Sequence, residues 1–156
     1  MTARIAAAAV HAISSKTNGR QTGICRPGFR RMMMETNEKL TAANIRYLLT
    51  MKAIADAGRQ IRNAYLAEYL HIKKSSVHSM LKSLVSLGMI RKDEDNVIHL
   101  TEKGAETAMC YQQYYRKLVS MMQQCFPELG ENESAVLALL SEIPEQSLQQ
   151  LLQRNE

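Results

Sequence analysis

"IRNAYLAEYLHIKKSSVHSMLKSL", residues 61–84, holds two short apolar rhythms separated by a cationic, hydroxyl-rich knot, Lys73-Lys74-Ser75-Ser76. Leu66, Ala67 and Leu70 recur at helical spacing before the knot, and Val77, Met80, Leu81, Leu84 and Leu87 after it. The spacing predicts a short helix capped by Asn63 and a tight turn through His71, Ile72 and Lys73. A second helix follows, with Ser75 or Ser76 as its cap and Gly88 as its end.

Outward from this pair the pattern stays regular. Upstream, Ile45, Leu48, Leu49, Met51 and Ile54 mark one face of a helix that begins beyond Thr36 and stops at Gly58. Downstream, "MIRKDEDNVIHLT" (89–101) offers two brief strands around a turn at Asp95-Asn96, with β-branched Ile90, Val97 and Ile98 favouring strand. Thr101 opens a long helix that runs to Cys125, just short of Pro127, and Gly104 in its first turn reads as an ordinary propensity cost. Asn132 or Ser134 caps a short amphipathic segment, and Pro144 opens the last one. Helix, helix, turn, helix, two-stranded ribbon, helix is the order of a winged helix-turn-helix. The expected fold class is therefore mainly α with a small β-wing, followed by a long linking helix and short C-terminal helices.

Charge divides the chain. Residues 1–34 hold six basic side chains and no acid, and residues 59–92 hold seven basic groups against Glu68 alone. Residues 93–156 instead hold eleven acids against four bases, within an overall +5. A basic middle fused to an acidic end suggests that the middle meets a polyanion and the end meets something else. Three regions are expected. Residues 1–34 form a disordered basic extension, with Met32, Met33 or Met34 as an alternative start. Residues 35–100 form the winged helix-turn-helix, and 101–156 a helical linker and dimerisation region.

Composition narrows the class further. Hydrophobic residues are 46% of the 156, with 5% aromatic and no Trp, so the core must be built from Leu, Ile, Val and ten Met. No apolar run approaches the roughly 18 residues of a membrane span. Cys25, Cys110 and Cys125 are odd in number and far apart, which suggests no disulfide framework and a reducing, cytoplasmic setting. An enzyme is disfavoured, because the chain has no Gly-rich phosphate loop, no nucleophile elbow and no acid pair with a plausible cleft.

The knot has a chemical rationale if its helix enters a DNA groove. Cations at the entrance neutralise phosphates and release counterions. Hydroxyls and N–H groups at a helix start hold phosphate oxygens, and short outward side chains allow close approach to base edges. Lys73 and Lys74 stand at the entrance, Ser75 and Ser76 at the cap, and His78, Ser79 and Lys82 on the open face. Arg91 and Lys92 sit where a wing would reach the neighbouring backbone. The acids from Asp93 to Asp95 limit that contact to the wing's base. These nine cationic, hydroxyl and imidazole residues are the expected DNA contacts, with double-stranded DNA as the partner. The bland alternative is a solvated surface helix.

"IRNAYLAEYLHIKKSSVHSMLKSLVSLGMI" together with "NVIHLTEKG" resembles the DNA-binding half of the iron- and manganese-dependent repressors, the diphtheria-toxin-repressor type, over about residues 40–126. The multiple-antibiotic-resistance type of winged helix is the nearest competitor, and would respond to a small ligand or an oxidant. The first resemblance implies a repressor and a divalent metal such as Mn or Fe. Its ligand positions fall here on Ala43, Arg46, Tyr115, Leu140 and Ser141, none of which supplies the family's ligand. No metal or other cofactor is therefore expected.

A winged helix reads DNA in pairs, since one helix gives few base contacts. Apolar stripes on the C-terminal helices are the expected homodimer contact: Tyr111, Tyr114, Leu118 and Met122 on the long helix, and Leu137, Leu140, Leu148 and Leu151 beyond it. A winged-helix adaptor that binds protein instead of DNA is the alternative from another class; the basic balance of residues 59–92 argues against it.

Overall fold

The structure is a computed structural model that describes residues 39–130 and 132–153. The extension expected over 1–34 lies outside the described residues. Helix α1 (Ala42–Asp56) is followed by α2 (Asn63–Leu70) and α3 (Lys74–Ser86). Strands β1 (Ile90–Lys92) and β2 (Ile98–Leu100) come next, then α4 (Glu102–Cys125), a 3-10 turn, α5 (Glu133–Glu142) and α6 (Glu145–Gln153). This is a winged helix-turn-helix carried on a helical C-terminal half.

Local chemistry sets the boundaries. The Thr41 hydroxyl accepts from Asn44 N and caps α1, later than the start expected from Thr36. Gly58, at a φ of 69°, takes the left-handed conformation that lets the chain leave α1. His71 takes the same conformation between α2 and α3, at a cost a non-glycine residue seldom bears. The α3 expectation needs correction at its start. Lys73 is the N-cap, with no side-chain bond, so neither Ser75 nor Ser76 caps the helix. Thr101 and Asn132 cap α4 and α5 as their types suggest, each accepting from the backbone N–H three residues on.

The wing is an antiparallel pair in the register Ile90–Leu100, Arg91–His99 and Lys92–Ile98. A bridge that the sequence pattern did not suggest ties it inward: Ile98 N–H donates to Ile61 O at 2.8 Å, in the α1–α2 connection.

One apolar core runs from Leu40 to Leu148 and crosses the boundary expected at residue 100. Helix α1 lies at its centre, packed on α4 and α5, and is buried even at Asn44, Tyr47 and Thr50. That placement corrects the dimerisation assignment. Tyr111, Tyr114, Leu118, Leu137, Leu140 and Leu148 are all buried inside this single chain, so none offers a surface to a second copy. Only Met122 and Leu151 of that set keep part of their surface. A stripe predicts that something covers it; here α1, α5 and α6 do so for α4.

Cys110 is buried in the core, whereas Cys125 is free and exposed. Among the described residues no helix is long and apolar enough to cross a membrane.

Candidate nucleic-acid interface

Helix α3 sits on the core by one narrow edge. Val77, Leu81 and Leu84 are fully buried, each worth about 1.5–3 kcal/mol relative to exposure, Met80 packs half-buried beside them, and the opposite side faces solvent. At 100° per residue the line opposite that edge is Ser75, Ser79, Lys82 and Ser86, flanked by Ser76, Ser83 and His78. The outermost line therefore consists of three serines and one lysine.

All nine residues that the sequence assigned to DNA are exposed: Lys73, Lys74, Ser75, Ser76, His78, Ser79, Lys82, Arg91 and Lys92. The seven on and just before α3 share its open side and its N-terminal entrance. Arg91 and Lys92 stand on the adjoining strand β1. The serines lie flat: Ser79 Oγ donates to Ser75 O at 3.2 Å, and Ser86 Oγ donates to Ser83 O at 2.8 Å. Each hydroxyl thereby spends its proton on the helix and keeps its lone pairs outward, where a base amino group or a water can donate.

The wing tip is organised by one carboxylate. Asp93 Oδ1 accepts from Val97 N at 2.8 Å, and Asp93 Oδ2 accepts from the His99 ring N–H at 2.8 Å. Asn96 takes the left-handed conformation that closes the turn. Asp93 is thus occupied within the ribbon, while Glu94 and Asp95 stand exposed at its tip. The His99 bond first, and the Val97 N–H second, hold the Asp93 carboxyl below the usual carboxylate range. A depressed folded value means that the contribution is full above the unfolded carboxyl pKa, about 4, and is lost as pH falls through the lower folded value. The Val97 amide resonance should therefore shift in acid with a midpoint below that of an ordinary aspartate. Asp93→Asn, which keeps an acceptor oxygen, should abolish the titration. A midpoint at or above the ordinary value would remove Asp93 from this role.

Three features of the same surface escaped the sequence reading. Arg59 and Arg62 entered it only as charge, yet both lie just before α2, whose N-cap is Arg62, without a side-chain cap bond, and not the expected Asn63. Arg59 donates to Tyr65 Oη at 2.9 Å, and Arg62 to Gln60 Oε1 at 3.2 Å. The charge run beginning at Arg59 was the available signal. Val85 is the third: it is 46% exposed on the flank of α3, and no periodicity marks an apolar residue that stays outside.

The metal positions implied by the family resemblance do not fit a divalent cation. Arg46 Nε lies 3.3 Å from Glu133 Oε1, an ion pair between α1 and α5. Tyr115 and Leu140 are buried, and Ala43 is exposed with nothing to ligate. Among the described residues no three His, Cys, Asp or Glu side chains gather as a cation would need.

Residues 46–94 match the model of the IclR helix-turn-helix domain, from within α1 to the wing turn. No curated protein matches the chain. Among solved structures it is similar to a hypothetical protein from Sulfolobus solfataricus, with 22% identity and a TM-score of 0.51, over 73% of this chain and 88% of that one. It is also similar to IdeR of T. acidophilum, with 20% identity and a TM-score of 0.54, over 75% of this chain and 55% of that one. Both likenesses bear on the fold, and the domain match supports DNA binding and transcription regulation as its use.

Proposed function

We propose that this winged helix-turn-helix regulator reads a specific DNA sequence as a homodimer, with α3 in the major groove, and represses by occupying its site. One observation carries the reading: the small, cationic side of α3 is free of its own chain along its whole length. Lys73, Lys74, Lys82, Arg91 and Lys92 meet phosphates, joined by Arg59 and Arg62 at the start of α2. Ser75 and Ser76 anchor the helix entrance. His78, Ser79 and Val85 face base edges, where an imidazole, a hydroxyl oxygen and a methyl group each match a different base feature. A descent from the diphtheria-toxin-repressor type fits this layout, with the Arg46–Glu133 pair standing where the metal reading would need a ligand.

The second copy joins at the far end of α4. Beyond the buried Tyr111, Tyr114 and Leu118, the end of α4 leaves Met121 37% and Phe126 58% exposed. Cys125 is exposed beside them, and Met122 and Leu151 are partly so. Two-fold pairing of this end gives each dimer two reading helices.

Selection from a pool of random duplexes tests the whole proposal. The protein should enrich a two-fold symmetric site with half-sites about one or two helical turns apart and sediment as a dimer. Phe126→Asp should leave it monomeric and weaken binding to that site at least tenfold, with melting unchanged. Enrichment of nothing would defeat the DNA reading, and a wild-type monomer well above micromolar concentration would defeat the pairing.

A further inference from the structure

The beginning of α4 grips the end of the recognition helix. Three successive carbonyls leave α3 toward the wing, those of Leu87, Gly88 and Met89, and residues at the start of α4 take all three. Lys103 Nζ donates to Leu87 O at 2.9 Å, Thr101 Oγ1 donates to Gly88 O at 2.6 Å, and Thr101 N donates to Met89 O at 3.0 Å. Thr101 Oγ1 also accepts from Gly104 N at 3.0 Å, so a single hydroxyl caps α4 and holds α3. Gly104 lies flush against the Met89 backbone.

Lys103 is on the wrong helix for its own benefit. A cation in the first turn of α4 faces the positive end of that helix's dipole. The last turn of α3 contains no basic residue, and its terminal carbonyls carry the partial negative charge that a cation complements. The Lys103 ammonium reaches across to the C-cap carbonyl of α3, half-buried, and supplies the missing charge. A residue kept for solubility or for α4 alone would not sit so.

Resting on the DNA reading above, we infer that Lys103, assisted by Thr101, is a positioning residue: it fixes the angle at which α3 meets the groove and so determines selectivity rather than general affinity. One of the three Lys103 ammonium protons goes to Leu87 O, and in this reading its role is that bond rather than a phosphate contact. The clamp also makes α3 and α4 turn as one body, which ties the reading helix to the helix whose far end is uncovered.

The experiment compares the duplex that the wild-type protein selects with a scrambled duplex of the same length, for wild type, K103M and K103R. K103M keeps the aliphatic stem and removes the charged donor, so the ratio of the two affinities should fall about tenfold, the usual weight of one charge-assisted hydrogen bond. Affinity for the scrambled duplex and its salt dependence should hold. K103R, which retains a cationic donor, should recover most of the ratio. Should K103M fail to fold, K103Q gives the same reading with a neutral polar tip. A parallel loss of both affinities together with melting temperature would mean a merely structural residue. A parallel loss with the salt slope reduced by about one would mean a phosphate contact. Either outcome overturns the inference, as does an unchanged ratio in K103M. A wild-type protein that enriches no site removes the DNA reading itself, which is a distinct result from an enriched site that K103M reads equally well.

Discussion

Gly104→Ala will destabilise the protein by about 3 kcal/mol or more, at the upper end of overpacking costs, and lower its melting temperature by roughly 10 °C. Helix propensity alone argues the opposite sign, because alanine in a helix is favoured over glycine by about 1 kcal/mol. The decision lies in what the new methyl would meet. A Cβ at residue 104 would stand 2.8 Å from the Met89 carbonyl carbon, nearer still to its oxygen, and 3.2 Å from Met89 Cα. These are backbone atoms, fixed by the bond from Thr101 N to Met89 O and by the bond from Met89 N to Leu84 O. They cannot turn aside as a side chain would. Relief would require α4 to lift from the end of α3, and that movement would also break the Lys103 and Thr101 contacts. Thermal melting by circular dichroism decides the matter, and a variant as stable as wild type would show that α4 does not seat as described.

Gly104 also shows what the sequence makes legible. The motif around it was visible, but a glycine at a helix start looks the same whether it is tolerated or required. The difference is a contact with a residue fifteen positions earlier. Features governed by local periodicity were readable: Val77, Leu81 and Leu84 on the inner edge of α3, the helix start at Thr101, a cap at Asn132 as one of two candidates, and the paired strands around Asp95-Asn96. Features that depend on which surface meets which were not. The stripe of Tyr111, Tyr114 and Leu118 was plain, yet nothing local distinguishes cover by α1 from cover by a second chain. Helix α1 is buried well beyond one face because it has neighbours on both sides, a fact of topology rather than of pattern. The left-handed His71 gave no signal either, since glycine is the residue that announces such a turn. The candidate interface was the most legible part, because it is defined by what the chain leaves outside. Small and cationic residues opposite an apolar edge stay exposed whichever way the rest packs.

The combined variant K74A/K82A/R91A will lose about a thousandfold in affinity for any duplex at 50 mM salt, and the slope of log affinity against log salt will fall by close to three units. Each of these side chains is exposed and makes no hydrogen bond or ion pair within the described residues, so its removal leaves no orphaned partner and should not change melting. The loss arises in the bound state, where each cation releases close to one condensed counterion. The same slope change should appear on selected and on scrambled DNA, since phosphates carry no sequence. His78→Ala and Ser79→Ala provide the contrast. Neither removes a lysine or arginine, so the slope should change far less than in the triple variant while preference at particular base pairs shifts by about 1–3 kcal/mol. That contrast separates two accounts of the exposed side of α3. A merely solvated helix would show no effect from any of these changes. A helix held against DNA only by charge would show the first effect without the second. An undiminished slope in the triple variant would place the duplex elsewhere on the molecule, whatever the fold around it.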